Sequence, residues 1–195
     1  MDIDVSDLKD KTQPLEIVLY PDPFLKKPCR KITPDEIKKG VAGGWNLAEL
    51  VEQMKVTMYA AAGIGLAAPQ VGVGLRLFIW DISGDKSGVF ALLNPVINDP
   101  EGSITEEEGC LSIPHVRAKV KRHEMIRVNG VDLKGKVIEF EADDLLARVC
   151  QHEIDHLDGK LFIDKLGAAS RFLIRRQLAE LEDDYEMSKK KMTRK

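Results

Sequence analysis

The chain has no apolar run near the roughly 20 residues needed to span a bilayer, and its start, "MDIDVSDLKDKTQP", is acidic where a secretory or organellar leader is positively charged. Both absences point to a cytoplasmic protein without a membrane partner. A surplus of positive charge is also missing: 29 Lys and Arg against 32 Asp and Glu give a net charge of −3, so no overall basic field draws the protein to DNA. Cysteine is sparse and odd in number, with Cys29, Cys110 and Cys150 only. That excludes a disulfide framework and leaves thiols for packing or for metal. No repeat and no low-complexity linker divides the 195 residues, a length that suits one domain with a sizeable core.

Within that domain the hydrophobic periods change along the chain. "LEIVLYPDP" reads as a short strand ended by a proline turn. "TPDEI" has the start signals of a helix, with Thr33 as cap, Pro34 at the first position and Glu36 three residues after the cap. A second helix is expected from Asn46 to Ala62, since Leu47, Leu50, Val51, Met54 and Met58 recur at helical spacing, and Gly63 is expected to stop it. "LRLFIWDIS", "VFALLNPVI" and the alternating residues from Val116 to Glu141 read as strands, with "DLKGK" as a hairpin turn. A helix follows from Asp143 to a stop at Gly159, then a charged amphipathic one from Gly167 to Tyr185 with a basic tail. Strands in the middle with helices at both ends predict an α+β fold.

The helix ending at Gly159 contains "QHEIDH". At about 100° per residue, His152 and His156 lie about 40° apart around the helix axis, so both imidazoles leave one face and can grip one ion. Glu153 sits beside that face, too poorly aimed to be a ligand but within reach of a water activated there. Cys150 lies about 200° from His152 and is expected in the core. A catalytic divalent site needs a third protein ligand and an open position. Two candidates present themselves. One is a carboxylate in "ELED", Glu180 or Glu182, where thermolysin-like peptidases carry theirs. The other is Cys110 in "EEEGCLSIP", which with two imidazoles makes a donor set for zinc or ferrous iron. A further stretch, "GIGLAAPQ", offers glycines that let another backbone approach closely and a Gln70 amide able to donate to a developing oxyanion.

Taken in order, "GIGLAAPQ", "EGCLS" and "QHEIDHLDG" resemble the three motifs of the peptide deformylases, over roughly Leu15 to Leu166. The resemblance implies that Cys110, His152 and His156 bind one divalent ion, ferrous iron by preference with zinc, nickel or cobalt able to replace it. It implies that Glu153 handles the proton and that the Gln70 amide and the Leu111 backbone N–H stabilise the oxyanion. It implies a single α+β domain with antiparallel sheets around the helix bearing the histidines, and a C-terminal helix. The activity implied is hydrolysis of the formyl group from N-terminal formyl-methionine of nascent chains, by a bacterial-type cytoplasmic monomer working near the ribosome. Ile64, Gly65 and Gly109 are then expected as backbone partners of an extended peptide, and Ile64, Leu145 and Val149 as walls of an apolar pocket. Arg148 departs from the apolar pattern usual beside that pocket.

Overall fold

The computed structural model describes residues 13–86 and 88–192. The acidic start up to residue 12 and the end of the basic tail from residue 193 therefore lie outside the described residues. Near the start, Leu15 to Leu19 form no strand but an extended strap. Val18 N–H donates to the Gln70 carbonyl at 2.8 Å, Tyr20 N–H to that of Ser112 at 2.8 Å, and Leu15 N–H to the Thr57 hydroxyl at 2.8 Å. Its partners are loops and a side chain, so no ladder forms.

Helix α1 (Pro34–Lys39) begins as its sequence predicts, with Thr33 and Glu36 capping each other reciprocally and Gly40 closing it at φ 67°. The two-residue strands β1 (Val41–Ala42) and β2 (Trp45–Asn46) then pair through Gly43 and Gly44, both at positive φ. Asn46 caps α2 (Leu47–Ala60). That helix stops before Gly63. Ala62, at φ 55°, takes the left-handed position, and Gly63 N–H turns back to the Met58 carbonyl at 2.8 Å.

Five antiparallel strands make the main sheet in the order β3-β4-β5-β8-β9. They are β3 (Gly65–Ala67), β4 (Leu77–Trp80), β5 (Phe90–Glu101), β8 (Met125–Val131) and β9 (Val137–Asp143). All four residues of β4 are buried, because each face of the sheet is covered. Leu77 and Ile79 pack with Leu50, Met54 and Met58 of α2, while Phe78 and Trp80 pack with Ala147, Cys150 and Ile154 of α3 (Asp144–Leu157). Asp132 and Gly135 form the β8–β9 turn expected from "DLKGK", the glycine at φ 81°.

A separate two-stranded sheet pairs β6 (Ile104–Cys110) with β7 (Ile113–Arg122). Its register jumps from Gly109 opposite Arg117 to Cys110 opposite Ile113, so Pro114, His115 and Val116 bulge out, His115 at φ 64°. Behind this hairpin, Val116 and Val120 pack with Phe162, Ile174 and Leu178. The last two belong to α4 (Ala168–Met192), which runs past Tyr185 and takes three tail lysines into its last turn. Cations there suit the negative end of the helix dipole. The molecule thus has two packing units, the main sheet with α3 and the β6–β7 hairpin with α4. The site lies where they meet.

Candidate metal centre and active site

Helix α3 presents His152 and His156 one turn apart, their ring centroids 5.0 Å from each other at an interplanar angle of 75°. The chain turns away immediately afterwards at Gly159, φ 71°, where a Cβ would meet the Lys26 carbonyl oxygen at 2.5 Å. Across the boundary between the two sheets, β6 ends at Cys110. Its Sγ lies 3.2 Å from His156 Nε2, and one donor atom from each of Cys110, His152 and His156 falls within 4.8 Å of the others.

The electrostatics fit a cation in that space. His152 Nδ1 lies 3.1 Å from Glu108 Oε2. Burial opposes ionisation of Glu108, but His152 and Arg122 outweigh it and hold the carboxyl at about 2. An ionised carboxylate only accepts, so Nδ1 carries the hydrogen. Burial opposes charge on this ring, but Cys110 and Glu108 outweigh it and push His152 up to about 10, so a cation binding at Nε2 would displace a proton there. Burial pushes His156 well below its ordinary range, which keeps the ring neutral, the form that ligates. Its Nδ1 is buried without a hydrogen bond among the described residues. The other two thiols are unsuited: burial raises Cys150 to about 12 and Cys29 to about 11. Glu180 and Glu182 stay on α4, paired with Arg176 at 3.0 Å and with the Tyr20 hydroxyl, and neither joins the donor cluster.

Glu153 is 4% exposed, and burial raises its carboxyl to about 7. Oε2 has no hydrogen-bond partner among the described residues, so the oxygen is available for a proton. Gly65 faces it so closely that a Cβ there would collide with the Glu153 carboxylate and stand 3.1 Å from Val149 Cγ1. Close approach was the reason to single out this glycine, and a side chain is what approaches. Gln70 is buried in a short 3-10 turn, Ala68–Val71. Its Oε1 accepts from Ala67 N–H at 2.8 Å, which fixes the amide so that Nε2 points to Cys110 Sγ at 3.5 Å and Ser112 Oγ at 3.4 Å. Leu111 follows Cys110 at the tip of the β6–β7 hairpin.

A cleft of about 780 Å³ opens over these groups. Ile64, Gly65, Gly109, Leu111, Leu145 and Val149 all line it, together with Gln70, Cys110, His152 and Glu153. His156 lies behind this surface, 1% exposed. The residues that the resemblance named for the site are therefore brought to one place, whereas the alternative ligands Glu180 and Glu182 are not. Sequence reading missed the groups behind the candidate ligands. Arg122 donates to both Glu108 oxygens at 2.9 Å and also to Asp155, which Lys165 reaches at 3.1 Å. Gln151 clamps the β7–β8 turn, accepting from His123 N–H at 3.0 Å and donating to its carbonyl at 2.8 Å. One signal was available: Arg122 continues the inward alternation of Val116, Ala118 and Val120 on β7.

Two imidazoles on a helix, a thiol from an antiparallel hairpin and an acid on the same helix define a metal-dependent hydrolase. The polypeptide deformylase family model matches residues 14–172. A peptide deformylase of Hydrogenovibrio crunogenus is 53% identical over 159 residues, 80% of this chain and 88% of that protein. One from Thermodesulfovibrio yellowstonii is 49% identical over 165 residues, covering 84% and 95%. The crystal structure of a peptide deformylase from Legionella pneumophila superposes with a TM-score of 0.78 at 38% identity, over 89% of this chain and 98% of that one. The chain belongs to the peptide deformylase family, enzymes that hydrolyse the formyl group from the N-terminal methionine of new polypeptides.

Proposed function

We propose that Cys110, His152 and His156 hold one divalent ion, ferrous iron in the cell with zinc, nickel or cobalt able to replace it. Support comes from the donor set itself, two neutralisable imidazoles and a thiol with their donor atoms within 4.8 Å. An ion bound there supplies the Lewis acidity that makes water nucleophilic near neutral pH. Glu153 accepts the water's proton and returns it to the leaving amine, a task suited to a carboxyl raised to about 7 by burial. The Gln70 amide and the Leu111 N–H donate to the oxyanion formed at the formyl carbon. The rest of the peptide lies extended along Ile64, Gly65 and Gly109, and the methionine side chain enters between Ile64, Leu145 and Val149.

The chain works as one catalytic domain, its core near residues 15–166 followed by the C-terminal helix and tail. We place it in a bacterial-type cytoplasm as a monomer, meeting nascent formyl-methionyl chains near the ribosome. Among the described residues no helix is long and apolar enough to cross a membrane. The observation that carries the residue assignment is the meeting of Cys110 Sγ with His156 Nε2 at 3.2 Å, 46 residues apart in sequence. The test is formate release from a formyl-Met peptide, without oxygen and with iron or nickel, for wild type, Cys110→Ala and Glu153→Ala. Both variants should lose activity; turnover surviving both would overturn the assignment.

A further inference from the structure

The three proposed ligands come from two packing units, since His152 and His156 ride on α3 against the main sheet while Cys110 ends β6 of the separate hairpin. Whatever ties α3 to β6 therefore sets the spacing of the donor atoms. Arg148 lies four residues before His152, on the same face of α3, and lines the cleft beside Leu145 and Val149. Its Nη2 donates to the Glu107 backbone carbonyl of β6 at 2.8 Å. Its Nε is buried, makes no hydrogen bond among the described residues and stands 3.8 Å from Glu108 Oε1, the carboxylate that orients His152. A buried unpaired donor is unfavourable. Neighbouring positions on this wall are apolar, so a second leucine would have cost less.

We propose that Arg148 is a positioning residue, a latch across the boundary that keeps β6 at the distance from α3 that the metal needs. This rests on the assignment of Cys110, His152 and His156 as ligands. The latch works through the planar fork: one arm takes the β6 carbonyl while the rest of the charge stays against Glu108, a division that the point charge of lysine does not reproduce. Groups one step behind metal ligands typically change metal affinity about 10- to 100-fold when lost.

The test is the nickel(II) dissociation constant of the full chain, by competition with a chromophoric chelator, with kcat and KM on a formyl-Met peptide and the urea midpoint. Arg148→Met keeps the stem and should raise the nickel dissociation constant roughly tenfold, with kcat falling more than KM rises. Arg148→Lys should recover part of the loss. Cys110→Ala, run in parallel, should lose nickel outright. If it binds nickel as wild type does, the ligand assignment fails and the latch with it. If it loses nickel while Arg148→Met stays within about twofold of wild type, the latch alone is overturned, as it also is if Arg148→Met shifts only the urea midpoint. Should Arg148→Met not fold, Arg148→Lys decides by the same criterion.

Discussion

Replacing Gly65 by alanine presses on Glu153 while leaving every side chain assigned to the chemistry unsubstituted, Gly65 itself serving only through its backbone. The added Cβ would collide with the Glu153 carboxylate, 3.0 Å from Cδ, with Val149 Cγ1 at 3.1 Å on its other side. Contacts of this kind relax to about 3.5 Å or more, and Glu153 Oε1 stands nearer to the added Cβ than Cδ does, so that oxygen has to retreat by about 1 Å. The backbone has little room to give instead, because β3 is held in register against β4, Gly65 opposite Trp80. A misplacement of about 1 Å can cost about 100-fold in rate, or about 2.7 kcal/mol. The expected result for Gly65→Ala is a kcat about 100-fold down, with nickel affinity unchanged, since no ligand moves. Glu153→Asp withdraws the carboxylate by one methylene and makes room for the methyl. The double variant Gly65→Ala, Glu153→Asp should then lose less than the product of the two single losses. Measured with formate release on a formyl-Met peptide, independent and multiplicative losses would refute the steric argument, as would a Gly65→Ala enzyme within about threefold of wild type.

Glu108→Gln removes the charge that holds His152 Nδ1–H while keeping the shape, and should weaken nickel binding about 10- to 100-fold in chelator competition. Arg122 keeps Asp155 as a partner, so the same variant should lose about 3 kcal/mol of unfolding free energy in urea, the low end for breaking a buried pair. Loading the protein with nickel at about 1,000 times its dissociation constant should stabilise it by about 4 kcal/mol, and Cys110→Ala should abolish the shift in melting temperature. Arg30, with help from Thr33 N–H, holds the Glu36 carboxyl at about 2, below the 4.5 of a free one. A depressed carboxyl stabilises above the unfolded value and loses that stabilisation as the pH falls towards 2. The advantage of wild type over Glu36→Gln in urea should therefore be present at pH 6 and shrink steadily as the pH falls from about 4 towards 2, and should shrink with salt because the pair is exposed.

Local chemistry was legible in the sequence where a few neighbouring residues decide the outcome. Thr33 and Glu36 announced α1, Gly135 its hairpin, and His152 with His156 a shared helical face, because each signal needs only the chain's own periodicity. Outcomes set across the chain were less readable. The strap at Leu15 to Leu19 has strand-like residues, yet its hydrogen bonds go to the Gln70 and Ser112 carbonyls rather than to a partner strand. Gly63 looked like a helix stop, but it serves to clear Leu111, whose Cδ1 would stand 2.8 Å from an added Cβ. Glu108 read as one more member of an acidic run; only the fold reveals that, unlike Glu106 and Glu107, it points inward, with its side chain 6% exposed.

The charged residues of α3 follow one logic. On a surface helix Gln151, Asp155 and Arg148 would face water; here Gln151 and Asp155 are buried and each holds the helix to a different neighbour. Gln151 grips the β7–β8 turn, Asp155 grips Arg122 of β7, and His152 reaches Glu108 of β6. Apolar burial is non-directional and fixes such a helix less sharply, whereas hydrogen bonds weaken steeply off their preferred geometry. Metal coordination tolerates deviations of only about 0.2 Å. A helix clamped by polar side chains is a less stabilising choice than an apolar one, but it fixes the register of two imidazoles against a thiol on a different sheet. The cost in stability and the precision of the site therefore have the same source, and weakening any one clamp should show in metal affinity as well as in folding.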